Sequence, residues 1–156
     1  MPSATILLVD DEPAVVDGLA RSLRRPGYRI RTATSPAMAL ELLQADPADV
    51  IITDHMMPGM SGLEFLKLVR DRHPDTVRIM LTGHADVDTA MRAINEGEIY
   101  RFLSKPCSPV ELQVTVHLAL EQLELARENR RLLAIVRSRP ELTALLEQAR
   151  EALVRR

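Results

Sequence analysis

Cysteine occurs once, at Cys107, so no intramolecular disulfide and no all-cysteine metal site can form. Tryptophan is absent and aromatics make up 3% of residues, so the core has to come from Leu, Ile, Val, Ala and Met. Neither sign of charge dominates. The formal net charge of −2 gives no general pull toward nucleic acid or an anionic membrane. Long apolar runs are missing too: the longest near the start, Ile6 to Val9, is too short for a signal-peptide core or a membrane span. These absences make a cytoplasmic protein the default expectation. The 156 residues, 46% hydrophobic and 27% charged, suffice for one domain with a short appendage.

Two periodicities alternate along the first part of the chain. Short β-branched apolar runs at Thr5–Val9, Val50–Thr53 and Val77–Leu81 predict strands buried on both faces of a parallel sheet. Tyr28–Ala33 alternates and predicts an edge strand, and Ile99–Leu103 is a fifth candidate. Between them, Val15, Val16, Leu19 and Leu23 fall at helical spacing, ended by Pro26-Gly27. Ala37 to Leu43 predicts a second helix that stops near Pro47; Leu63, Leu66, Leu68 and Val69 predict a third, stopped at Pro74. Val87, Ala90, Met91 and Ile94 predict a fourth, with Gly97 just past its end. Strand then helix, five times over, predicts an α/β fold: an open, doubly wound, five-stranded parallel sheet. The flavodoxin-like strand order would be 2-1-3-4-5.

A fifth helix starts at Ser108-Pro109 and runs on to about Val136. Ser138-Arg139-Pro140-Glu141 predicts a break and a new capping box. Leu142, Leu146, Ala149 and Leu153 then line one face of a last helix. We divide the chain into a domain over residues 1–122 and a helical extension over 123–156. The extension is coiled-coil-like to about 137, then a short amphipathic helix over 139–155.

In open α/β sheets, ligands bind beyond the carboxyl ends of the strands, where the strand order reverses. Asp10 and Asp11 directly follow the first strand and Asp54 the third, so three carboxylates converge there. Two such charges about 4 Å apart repel by roughly 4 kcal/mol at an intermediate dielectric. A hard divalent cation with oxygen ligands resolves this, and Mg²⁺ suits such a site better than Zn²⁺. Lys105, after the fifth strand, brings a positive charge to the same end, and Thr82, after the fourth, a hydroxyl. Singly, each has an ordinary explanation. Asp11 would cap a helix ahead of Glu12-Pro13, Asp54 would open the turn Met57-Pro58-Gly59, and Thr82 and Lys105 would be loop residues. Their convergence on one set of strand ends favours a common chemical role.

These residues resemble the receiver domain of two-component response regulators. The matches are Leu7-Leu8-Val9-Asp10-Asp11-Glu12-Pro13, Asp54 with Met57-Pro58 and Ser61-Gly62, Leu81-Thr82-Gly83, and Lys105-Pro106, over about residues 4–122. The resemblance implies that Asp54 is the phosphoacceptor, served by a sensor histidine kinase or a phosphotransfer protein. It implies that Asp11, Asp54 and the backbone carbonyl of Met56 ligate Mg²⁺, with Mn²⁺ able to substitute and Asp10 acting through water. It implies that Lys105 contacts the phosphoryl oxygens, ahead of a cis bond to Pro106, and that Thr82 and Tyr100 form the switch pair. Such a module is a regulator and not an enzyme; it catalyses only its own phosphorylation and dephosphorylation. Gly83 stands where the family often has Ala, which loosens that loop. Met56 and His84 sit where side chains control water access to the acyl phosphate. Asn95-Glu96-Gly97-Glu98-Ile99-Tyr100-Arg101-Phe102-Leu103 resembles receivers attached to HD-GYP and hydrogenase-regulator outputs. His55, His73 and His117 lack metal-ligand spacing and read as surface or packing residues, and Cys107 as a packed side chain.

In the long fifth helix Thr115, Gln122, Asn129 and Val136 fall at heptad position a, and Leu118, Leu125 and Leu132 at d. Leucine at d with asparagine at a predicts a parallel two-stranded coil, so a homodimer. The competing arrangement folds this helix back through Leu123, Leu133 and Ile135. The face formed by the fourth helix, fifth strand and fifth helix is the other expected route to a dimer or partner. The last 36 residues carry eight Arg and six Glu, neither a strong basic patch nor room for a helix-turn-helix, which disfavours nucleic-acid binding within this chain. An alternative is the N-terminal receiver of a longer regulator with an HD-GYP, cyclic-dinucleotide or DNA-binding output. A phosphatase of the haloacid dehalogenase type would need two aspartates two residues apart after the first strand. Here Asp10 and Asp11 are adjacent and Glu12 follows, which counts against it.

Overall fold

The structure, a computed structural model, describes residues 3–155; residues 1, 2 and 156, included in the limits above, lie outside the described residues. Five strands alternate with helices: β1 (Ala4–Val9), α1 (Pro13–Leu23), β2 (Tyr28–Ala33), α2 (Pro36–Ala45), β3 (Val50–Asp54) and α3 (Gly62–Arg72) come first. Then follow β4 (Val77–Thr82), a short 3₁₀ turn (His84–Asp86), α4 (Val87–Asn95), β5 (Arg101–Ser104), α5 (Pro109–Arg137) and α6 (Pro140–Val154). The sheet is parallel throughout, in the order β2-β1-β3-β4-β5. That order puts β1 beside β3 at the switch point.

The chain divides into two compact units, up to Leu123 and from Glu124 onward. In the first, β1 and β3 are buried on both sides along most of their length and β4 from Ile79 onward, which explains their apolar runs. Ile6, Leu8, Val50, Ile52, Ile79 and Leu81 face α1 and α5, where Val16, Leu112, Val116 and Ala119 close the core. Leu7, Val9, Ile51 and Met80 face the other way, against Leu43 of α2, Phe65, Leu66 and Val69 of α3, and Ala90 and Ala93 of α4. Each large apolar side chain withdrawn from water contributes about 1.5–3 kcal/mol, so Leu, Ile, Val and Met hold the layers together with Phe65 added on the α3 side.

Caps fix the helix starts. Ser35, Ser61 and Ser108 each accept a hydrogen bond from a backbone N–H three residues on, at 3.1 Å. Gly97 adopts φ +73° after the last turn of α4, and the Gly97 and Glu98 N–H groups donate to the Ile94 and Ala93 carbonyls. This is why β5 starts at Arg101 and not at Ile99. The Glu98 N–H is spent on α4, the Glu98 carbonyl accepts from Arg78 Nε at 2.9 Å, and regular pairing begins after the Tyr100 N–H meets the Arg78 carbonyl.

The second unit contains the end of α5 and all of α6. The break between them differs from the expected capping box. Arg139 is the N-cap of α6 and makes no side-chain cap bond, because Pro140 takes the first helical position and leaves Ser138 one residue too early. The Ser138 hydroxyl instead donates back to the Ile135 carbonyl at 2.6 Å, and Thr143 Oγ1 donates to the Val136 carbonyl at 3.1 Å.

Candidate functional site

Each chemistry-bearing residue is delivered by the end of a strand. The Asp10 N–H continues the β1–β2 ladder to the Ala33 carbonyl (3.2 Å), the His55 N–H continues β3–β4 to Leu81 (3.0 Å), and the Lys105 N–H continues β4–β5 to Thr82 (2.9 Å). The backbone therefore holds the side chains before any of them touch. Asp10 Oδ1 accepts from the Glu12 N–H at 2.9 Å and Oδ2 from Lys105 Nζ at 3.2 Å. The same ammonium lies 2.9 Å from Asp54 Oδ1. Asp10 and Asp54 are buried while Asp11 is exposed, and one oxygen of each lies within 4.8 Å of the others. The N-cap of α1 is Glu12, so Asp11 is not consumed as a cap.

Three carboxylates face one ammonium here. Burial alone would lower the Lys105 pKa; its hydrogen bond to Asp54 and the charges of Asp54 and Asp10 outweigh burial and raise it above the ordinary lysine value. Lys105 therefore stays charged through neutral pH, and negative charge is left over. An all-oxygen donor set, two acids buried and one open to water, fits a hard, partly hydrated divalent cation. Met56 lies in the loop between β3 and α3 with an exposed side chain. The Lys105–Pro106 peptide bond is cis.

Thr82 is fully buried, its hydroxyl donating to the Gly83 carbonyl at 3.3 Å. The structure does not bring Tyr100 to it. Met80 and Thr82 share one face of β4 by the period-two rule, the face toward α4, whereas Tyr100 packs with Leu103 against the α1–α5 side. The aromatic on the Thr82 face is Phe102, opposite Met80 in the ladder and packed with Ala90, Ala93 and Ile94. Tyr100 precedes the first residue of β5 and so escapes the strand's alternation; its ring lies under the Arg101 guanidinium, 5.4 Å away. Counting back in twos from Ser104 reaches Phe102 and Tyr100 alike, and only the start of β5 at Arg101 leaves Phe102 as the one held to that face.

Of the histidines, His55 is buried with Nδ1 lacking a hydrogen-bond partner among the described residues, and His117 pairs with Glu121 at 3.1 Å on the surface of α5. A buried unpaired polar atom costs about 1–3 kcal/mol. We expect His55→Leu to raise the urea unfolding free energy by about 1 kcal/mol. A lower midpoint would show that packing of the ring outweighs the unpaired nitrogen.

Comparison with known proteins now decides the family: residues 6–117 match the response regulator receiver domain. The chain belongs to this family. The receiver is 41% identical over 129 residues to the hydrogenase transcriptional regulatory protein HoxA of Cupriavidus necator, an alignment covering 83% of this chain and 27% of HoxA. It is 35% identical over 147 residues to the transcriptional regulatory protein GlrR of Escherichia coli, covering 94% of this chain and 33% of GlrR. The receiver thus spans about a quarter to a third of the length of such relatives. Among solved structures, NtrX from Brucella abortus superposes with a TM-score of 0.78 at 32% identity, covering 83% of this chain and 30% of NtrX. The signal receiver domain of an HD domain-containing protein from Pseudomonas fluorescens superposes at 0.75 and 37% identity, covering 82% of this chain and 94% of that one. No helix among the described residues of the receiver is long and apolar enough to cross a membrane.

Proposed function

We propose that this receiver accepts a phosphoryl group on Asp54 from a phosphohistidine of a sensor kinase or phosphotransfer protein. One observation carries the proposal: Lys105 Nζ lies 2.9 Å from Asp54 and 3.2 Å from Asp10, with Asp11 completing the acidic cluster. An Asp54 oxygen attacks phosphorus, the P–N bond breaks, and the imidazole leaves and takes up a proton. Lys105 then turns from the carboxylate to the phosphoryl oxygens, where its ammonium offsets a phosphoryl charge of about −1.5 to −2. When bound, Mg²⁺ would be held by Asp11, Asp54 and the Met56 carbonyl with Asp10 behind them, and it supplies further charge neutralisation. Thr82 is the hydroxyl that responds, and Phe102 the aromatic that shares its side of the sheet. A cleft of about 560 Å³ beside Lys105, lined by Val15, Leu19, Pro106 and Cys107, supports docking of a protein donor next to Asp54.

The test is incubation with Mg²⁺ and acetyl phosphate, followed by mass measurement and peptide mapping. One phosphoryl adduct on Asp54 is expected; none on that side chain sinks the reading.

For output, we propose that α4, β5 and α5 carry the change to a protein contact and that α5 pairs with a second copy. Leu125 and Leu132, at the expected d positions, are 69% and 48% exposed, and Asn129 between them is exposed too. Thr115 drops out of the heptad: it is 3% exposed, its face of α5 having been taken by the receiver core. The remaining seam is short, so one charge should break it. Light scattering should give a dimer for the native chain and a monomer for Leu125→Arg, whereas a native monomer at tens of micromolar would rule the coil out. Relatives such as HoxA and GlrR are much longer, which favours a second reading in which a further domain of a longer regulator receives the signal.

A further inference from the structure

The phosphoryl-acceptor reading of Asp54 leaves open what keeps its carboxylate in register with Lys105. We infer that Gly62, the first residue of α3, is a positioning residue that seats Asp54 through a backbone contact only glycine permits. This inference rests on that reading of Asp54.

β3 ends at Asp54, the chain loops out through Met57-Pro58-Gly59, and α3 returns it to the strand end at Gly62. The return is tight: the Gly62 N–H donates to the His55 carbonyl at 2.7 Å. From the other side, the His55 N–H donates to the Leu81 carbonyl of β4 at 3.0 Å. His55, the residue just after the acceptor, is therefore clamped between α3 and β4. A Cβ at position 62 would fall onto the Asp54 carbonyl oxygen, 2.9 Å from the Asp54 carbonyl carbon and 2.8 Å from the His55 Cα. Those are backbone atoms, with no flexible side chain to swing aside. Gly62 has no positive φ, so space and not backbone freedom is what the position demands. Gly18, in the middle of α1, has nothing within 4 Å of where a Cβ would stand.

A methyl at position 62 must push the Asp54 carbonyl away or lift the start of α3. Either shift moves the carboxylate, which hangs from the same residue, relative to Lys105 and Asp10. Misplacement of a reacting group by about 1 Å costs about a hundredfold in rate.

The experiment compares Gly62→Ala, Val69→Ala and the native chain, all in a Gly18→Ala background chosen to raise the melting temperature and keep each variant folded. Val69 is buried in α3 away from Asp54, so its truncation destabilises without touching the acceptor. The readouts are the acetyl phosphate rate, beryllofluoride affinity and melting temperature. We expect Gly62→Ala to lose about a hundredfold in rate and affinity. Val69→Ala, with a comparable drop in melting temperature, should keep both. Native-like reactivity in Gly62→Ala overturns the inference, and so does an equal loss in Val69→Ala, which would make the effect mere destabilisation. If the background protein itself acquires no phosphoryl group on Asp54, the functional reading fails and this inference goes with it. Normal labelling there with an unaffected Gly62→Ala sinks the inference alone.

Discussion

Asp54→Asn should leave a folded protein that no longer responds to acetyl phosphate or beryllofluoride. The amide keeps the shape of the side chain, so the buried seat at the end of β3 stays filled. What disappears is the anionic oxygen that attacks phosphorus, and with it one of the three charges that make a cation welcome. The labelling rate should fall at least about a hundredfold, the scale at which a positioned reacting group matters. Stability should move the other way. The native site sets Asp10, Asp11 and Asp54 against the single ammonium of Lys105, and each carboxylate pair near 4 Å costs roughly 4 kcal/mol before screening. Removing one acid relieves two repulsions and loses one attraction. In metal-free buffer Asp54→Asn should therefore unfold at an equal or higher urea concentration than the native chain, while gaining less from added Mg²⁺. Labelling that persists on another residue would move the acceptor elsewhere. A large loss of metal-free stability would show that the acids are not in surplus.

Lys105→Ala should do the reverse, destabilising the protein and making it depend on metal. The Asp10 side chain is 1% exposed, and it is held by the Glu12 N–H and the Lys105 ammonium. Stripping one partner from a buried ion pair costs about 3–5 kcal/mol, because the remaining charge stays buried and uncompensated. Lys105 itself is 34% exposed, so water entering its place puts the expected loss near the lower end, about 3 kcal/mol. A divalent cation replaces the missing positive charge. Mg²⁺ should therefore raise the urea midpoint of Lys105→Ala more than that of the native chain, although the variant is labelled slowly. Equal Mg²⁺ increments in both proteins would refute the idea that lysine and metal neutralise the same acids. The native chain should show a related loss at alkaline pH. Because the folded-state pKa of Lys105 is raised, its stabilisation is complete below the ordinary lysine value and disappears as pH climbs through the raised one.

Much of the receiver was legible in the order of its residues. Burial on both faces makes β1 and β3 mostly apolar runs, and β4 one from Ile79, and the end of a parallel strand is where its next side chain meets a ligand, so Asp10, Asp54, Thr82 and Lys105 could be placed together from the sequence. The start of α5 was readable from Ser108-Pro109, since a cap and a proline act within a single turn. Three features were not legible, because each depends on groups distant in sequence. The face on which Tyr100 lies depends on where β5 begins, and Arg78 and the end of α4 set that boundary by claiming the backbone of Glu98. The heptad is periodic from Thr115, but only packing shows that the receiver core had already claimed that side chain. The demand for glycine at position 62 arises only where the start of α3 is pressed against the Asp54 backbone. Local propensity and periodicity chose the elements and the chemistry; contacts between segments far apart in the chain chose the partners, because excluded volume and burial exist only once those segments meet.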